Sequence, residues 1–192
     1  MACTLITHGR GLDCNRVSGG IRAVYFGVYD TTIVDQTTIN STGEVTIVGM
    51  GSTSLYRYAL PRGVASVTDT IVGSTENGTI YYTPSVQVIY NRLTTQDQHQ
   101  IKLLGQTQLV VFAECNALNA NDQNVILCLG SANGMQLNAG TEATGAAWGD
   151  RNGYDITFDG MEALPMAICK DYTSTPFDNL GTAGALIPIV TA

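Results

Sequence analysis

The chain has 192 residues, 44% of them hydrophobic, with a mean hydropathy of +0.10, which suffices for one domain with a real core or two small ones. Only 13% of residues are charged, about half the usual ~25%, and 21 glycines stand beside two lysines, which excludes a coiled coil or an acidic disordered tail. The net charge is −7, no apolar run approaches the ~20 residues of a membrane helix, and the first residues lack the basic-then-apolar start of an export signal.

Residues 1–20 read as an irregular arm, with Gly9, Gly11, Gly19 and Gly20 around Arg10 and Arg16. Short β-rich runs follow. Ile21–Val28 is Ile-Arg-Ala-Val-Tyr-Phe-Gly-Val, residues 44–48 alternate, and residues 54–60 carry Leu55, Tyr56, Tyr58 and Leu60. Residues 64–72 alternate loosely. Residues 79–90 hold two runs around Pro84, which belongs at a bulge or a sheet edge because proline cannot donate to a ladder. Thr42-Gly43, Pro61-Arg62-Gly63 and Asn77-Gly78 mark turns between them. The stretch 41–63, two short strands around Gly49-Met50-Gly51-Ser52, reads with the N-terminal arm as a contact between subunits rather than as core.

One segment breaks this pattern. Thr95–Leu104 reads as a short helix, the one substantial helix expected, with Thr95 as cap, Gln98 three residues on and Gly105 as its stop. A helix this short is marginal alone, so it is expected to dock on a sheet through Ile101 and Leu104. Strands then resume at 109–115, 125–129, 154–158 and 164–169, the last interrupted by Pro165. Asn133-Gly134 and Asn152-Gly153 read as hairpin turns. Residues 170–192 look extended, with Pro176 and Pro188. Many strands, one helix, then more strands make an all-β sandwich or barrel with one short flanking α-helix.

The charge is uneven. Residues 1–103 hold seven acids and seven bases, so the whole −7 lies in residues 104–192. Its densest part is Glu142, Asp150, Asp155, Asp159 and Glu162, with Arg151 the only base among them. No basic stripe grips phosphates. Two readings of the five acids stand: solvated residues that keep a low-charge protein in solution, or a wall that repels a passing polyanion.

Chemistry-bearing patterns are sparse. The five cysteines are odd in number and lack a C-x-x-C pair, so reduced thiols are expected, with Cys115, Cys128 and Cys169 as core residues. Cys3 and Cys14 flank His8 at a spacing that matches no zinc pattern, and His99 sits among glutamines on the helix. The glycine-rich stretches match no phosphate loop, and Asp150-Arg151-Asn152-Gly153 lacks the spaced acids of a calcium loop. Asp155 and Asp159 share a strand face with Thr157, as a wetted face also requires. No catalytic residue, cofactor or metal is therefore expected. The single tryptophan, Trp148, reads as a contact or core anchor ahead of a sugar-stacking platform.

Several pieces resemble, together, the small virion structural proteins of tailed bacteriophages. They are Met-Ala-Cys-Thr-Leu with Gly9-Arg10-Gly11 and Cys14, Gly19-Gly20-Ile21 before a Tyr-Phe strand, and residues 106–114. Leu129-Gly130 with Asn133-Gly134-Met135, the run from Gly149 to Phe158, and Glu162 before Pro165 complete the set. Within that group the element order is most like a tail tube protein. The resemblance implies a single β domain over residues 1–192, hexameric rings that stack, contacts with other tail proteins, and a conduit through which DNA passes without specific binding. It implies a structural protein of the virion tail, made in the host cytoplasm, and no enzyme. The five acids above are then candidates for the lumen. A capsid decoration or head-completion protein is the alternative, and a carbohydrate-binding tail-tip module a further one.

Overall fold

A computed structural model describes residues 9–11, 17–31, 34–35, 43–47, 54–170, 177 and 187–191. Among these, twelve strands form two sheets, with one helix. The strands are β1 (Ile21–Val28), β2 (Val34–Asp35), β3 (Glu44–Ile47), β4 (Leu55–Ala59), β5 (Ala65–Ser74) and β6 (Thr79–Asn91). After helix α1 (Thr95–Leu104) come β7 (Leu109–Leu118), β8 (Asn124–Leu129), β9 (Gln136–Ala143), β10 (Gly153–Asp159), β11 (Ala167–Cys169) and β12 (Ile189–Thr191). The larger sheet runs β12-β4-β1-β7-β8-β11-β3-β2, and the smaller runs β5-β6-β10-β9. The described residues thus form an all-β fold with one helix, as the residue pattern leads one to expect.

The larger sheet is covered on both faces, and its central strands show why. In β1, Val24 and Phe26 point one way and Ala23 and Tyr25 the other, and all four are buried. In β7, Val111 and Ala113 oppose Val110 and Phe112 in the same manner. Continuous apolar runs, rather than alternation, are what two-faced burial demands. One face packs against the smaller sheet through Val86, Val88, Ile156 and Phe158. The opposite face packs Tyr25, Phe112, Ile126 and Cys128 beneath Phe177 and Ile187 of the C-terminal region.

Of residues 170–192, read as an extended tail, only 170, 177 and 187–191 are described, and these take part in that second layer. Phe177 is buried edge-on against Tyr25 and Phe112, and β12 extends the sheet by pairing parallel to β4. The reading of 41–63 as lying outside the core is corrected for its described residues, 43–47 and 54–63; Gly49-Met50-Gly51-Ser52 lies outside them. Val45 on β3 and Leu55 on β4 are fully buried, and the two strands lie near opposite ends of the sheet rather than pairing as a hairpin. The expected core cysteines Cys128 and Cys169 are buried and Cys115 half-buried, and burial pushes all three thiols up. Cys3, Cys14 and His8 lie outside the described residues.

Helix α1 has the expected bounds, but its cap is one residue earlier. The Thr94 hydroxyl accepts the N–H of Asp97 at 3.1 Å and donates to the Asp97 carboxylate, so Thr94 and Asp97 form the reciprocal pair. Gly105 ends the helix in a right-handed conformation, donating to the Ile101 carbonyl at 2.9 Å. Ile101 and Leu104 do pack on the inter-sheet core, yet both stay half-exposed. Full burial would make Ile101→Ala cost 2–5 kcal/mol. The half-buried side chain should cost about 1–2 kcal/mol in urea unfolding, and a loss under half a kilocalorie would undock the helix.

Candidate assembly surfaces

The five acids that are close in sequence do not share one surface. Glu162 is buried. Its carboxylate accepts the backbone N–H groups of Ala132 and Asn133 at 3.0–3.3 Å, and the Asn133 amide donates to Met161 at 2.8 Å. Burial pushes its carboxyl up, and the N–H groups of Asn133, Ala132 and Gly134 pull it back down. Its backbone pairs with Tyr82. Glu162 therefore ties the 130–135 connection to the smaller sheet. That connection contains Asn133-Gly134, which links β8 in one sheet to β9 in the other instead of closing a hairpin.

Asp150 is exposed but occupied. Its carboxylate accepts the N–H groups of Ala147 and Ala146 at 2.7 and 2.9 Å, and those bonds hold its carboxyl below the usual range. It braces the long loop between β9 and β10, the loop that ends in Asn152-Gly153. Glu142 sits on β9 opposite Tyr154, near helix α1.

Asp155 and Asp159 remain, and they share a face. On β10, Tyr154, Ile156 and Phe158 enter the core, so Asp155, Thr157 and Asp159 face outward. Register places Ser85 and Gln87 of β6, Ser66 and Thr68 of β5, and Thr141 of β9 on the same outer face. Gln87 donates to Asp155 at 2.9 Å, Arg151 approaches Asp155 at 3.2 Å, and Asn138 donates to Asp159. The result is a face rich in hydroxyls and amides, with two carboxylates, with Ile89 and Ala139 also on it by register, and with Arg151 as a base at the rim.

A second surface is the far end of the β5–β6 hairpin. β10 pairs with β6 only up to Ser85, and Glu162 adds one bridge at Tyr82. Pro84 lies in that gap, where no neighbour needs its missing N–H; its own carbonyl accepts from Gly160 at 3.1 Å. Beyond it the two strands pair only with each other, closing through the Asn77-Gly78 turn. The apolar inner face continues outward past the body. Ile71 and Ile80 lie in register with Val67 and Val86, yet are 65% and 62% exposed. A two-stranded ribbon is marginal by itself, so this arm gains from a covering surface. It was legible in the sequence as two strands and a turn, not as a projection.

A third feature, missed in the sequence, is buried in the larger sheet. Glu114 interrupts the apolar run of β7 and accepts a 2.8 Å hydrogen bond from the Tyr25 hydroxyl, with Arg22 at 3.9 Å. Arg57 donates to the same hydroxyl at 3.2 Å. Burial, with the Glu114 carboxylate next, pushes the Tyr25 hydroxyl up to about 12. The group is a satisfied structural network: it opens onto no cleft.

Among the described residues, no cluster of three metal-ligating side chains is present, and no helix is long and apolar enough to cross a membrane. His99 is exposed on the helix. No family model, curated protein or solved structure matches the chain.

Proposed function

We propose that the chain is a tail tube subunit of a tailed bacteriophage, assembling into six-fold rings that stack into a conduit for DNA. The observation that carries this reading is the outer face of the smaller sheet. A channel wall for DNA must not hold phosphates, because each bound phosphate retards the strand. A face rich in hydroxyls and amides, with Asp155 and Asp159 and with Arg151 paired to Asp155, repels a polyanion weakly. Glu162 and Asp150 are committed to their own loops, and Glu142 sits opposite core-facing Tyr154 beside helix α1, which leaves Asp155 and Asp159 as the lumen candidates on this face. The β5–β6 arm supplies an apolar surface for a neighbouring subunit. Such head-to-tail contacts extend, where a two-fold contact closes. The virion tail is then its location, and the subunits of its own and adjoining tail rings are its partners.

Two measurements test the reading. Negative-stain microscopy of the purified protein should show rings or tubes; closed trimers would favour a capsid decoration protein, and a strict monomer at high concentration would remove the proposal. In the phage, Asp155→Lys with Asp159→Lys should leave tails of normal length while slowing DNA ejection by an order of magnitude or more. Ejection at the normal rate through such tails would place this face on the outer wall.

A further inference from the structure

Trp148 is the chain's single tryptophan, and it is fully exposed. It does not dangle. The loop beneath it is braced by Asp150, whose carboxylate binds the N–H groups of Ala146 and Ala147 and whose own N–H donates to the Ala147 carbonyl at 3.0 Å. Gly145 adopts a left-handed φ of +73°, and a Cβ there would stand 2.5 Å from the Asp150 Cβ. The loop is wound tightly around Asp150 and holds an indole out to water. Leaving so large an apolar ring uncovered gains nothing for the isolated subunit.

The same protein carries a cleft of a size to take an aromatic ring. It lies between α1 and the ends of β4 and β6, has a volume of about 230 Å³, and is lined by Tyr58, Pro61, Tyr90, Ile101 and Leu104. A cavity of roughly 150 Å³ already accepts a benzene ring, so this one has room for an indole. Tyr90 lines this cleft, and its hydroxyl is buried with no hydrogen-bond partner among the described residues. A buried hydroxyl left in that state is unfavourable. Indole N–H is a donor with no acceptor function, and a phenolic oxygen can receive it. Asp97 is the one charged residue in the cleft lining; exposed Arg62 and Lys102 follow lining residues Pro61 and Ile101, while Glu142 and Asp150 border the tryptophan loop, so the two bases offset Asp97 and face the acids of the loop.

We propose that Trp148 of one copy seats in the Tyr58–Tyr90–Leu104 cleft of a second copy, its indole N–H donating to the Tyr90 hydroxyl. The contact rests on the self-assembly part of the function proposed above, and names the anchor that assembly uses. An anchored tryptophan is the commonest kind of interface hot spot.

The single tryptophan makes the test direct. In the purified full chain, its emission should be red and open to acrylamide quenching at low concentration, then shift blue and become protected as copies associate. Trp148→Ala should weaken association by about thirty-fold or more, the scale of a hot-spot truncation, with an unchanged melting temperature because the ring touches nothing in the free subunit. Tyr90→Phe should weaken association several-fold and leave the fold intact. Association that survives Trp148→Ala, or a tryptophan still quenchable in the assembled protein, would overturn the contact while leaving rings and tubes standing. Blue emission independent of concentration would mean the indole seats in its own chain's cleft, and protection that appears only on adding a polysaccharide would mean a sugar platform; either overturns it. Trp148-dependent dimers without rings would keep the contact and remove the tube. A wild-type chain that never associates removes both.

Discussion

Phe177→Ala is expected to remove about 3–5 kcal/mol of stability, the range for truncating a fully buried phenylalanine. The side chain is 1% exposed, edge-on to Tyr25 with ring centres 4.6 Å apart and to Phe112 at 5.2 Å. Aromatic pairs in this geometry add ~0.5–1.5 kcal/mol beyond area burial. With typical domain stabilities of ~5–15 kcal/mol, the variant should lie near the limit of folding at 37 °C. The loss reaches beyond one cavity. Phe177 and Ile187 are what the C-terminal region contributes to the outer cluster of the larger sheet. Without Phe177, β12 should detach from β4, whose Leu55 N–H now donates to the Pro188 carbonyl at 2.9 Å. Urea unfolding measures the cost, and backbone hydrogen exchange on β4 should rise in the same variant. A loss below about 1 kcal/mol would show that the outer cluster closes without this ring.

The elements legible in the sequence are those whose cause is local. Helix α1 was readable from a capping residue, an acid in its first turn and a glycine stop, all within twelve residues. The mostly apolar run at 109–115 indicated a central strand. What it could not indicate was the identity of the cover on each face, because Phe177 lies in a stretch between two prolines that carries no periodicity. The reading of 41–63 as lying outside the core failed for a related reason. β3 pairs in parallel with β11, more than a hundred residues later, and nothing near Glu44 encodes that partner. Proximity in sequence did not decide which of the five acids share a face. Alternation on β10 did put Asp155 and Asp159 on one face. Asp150 was drawn to backbone N–H groups of its own loop, and Glu162 crossed a strand end into a buried nest of them. A lone acid between apolar strands, Glu114 or Glu162, is a signal that a buried donor waits for it, but the donor's identity is a property of the fold.

Gly153→Ala should be the most damaging single-methyl change in the protein. Asn152-Gly153 signals a turn, yet Gly153 is the first residue of β10 and faces Asn91 across the ladder. A Cβ at this position would lie 1.9 Å from the Tyr90 carbonyl oxygen, 2.9 Å from its carbon and 3.0 Å from the Asn91 Cα. No side chain stands there to rotate away; the obstruction is backbone, so β6 and β10 must separate. Separation would break the 2.6 Å bond from the Arg92 N–H to the Asn152 carbonyl and release Tyr154, which is buried one residue further on. Overpacking typically costs 1–3 kcal/mol, and a clash with fixed backbone in a ladder should reach about 3 kcal/mol or more. Gly149→Ala is the matched control, four residues away, with nothing within 4 Å of its added methyl; it should stay within about half a kilocalorie of the parent. Paired urea titrations of the two variants decide the matter. Equal midpoints would mean that β10 begins later than Gly153, and that the braced loop carrying Trp148 is not pinned to the end of β6.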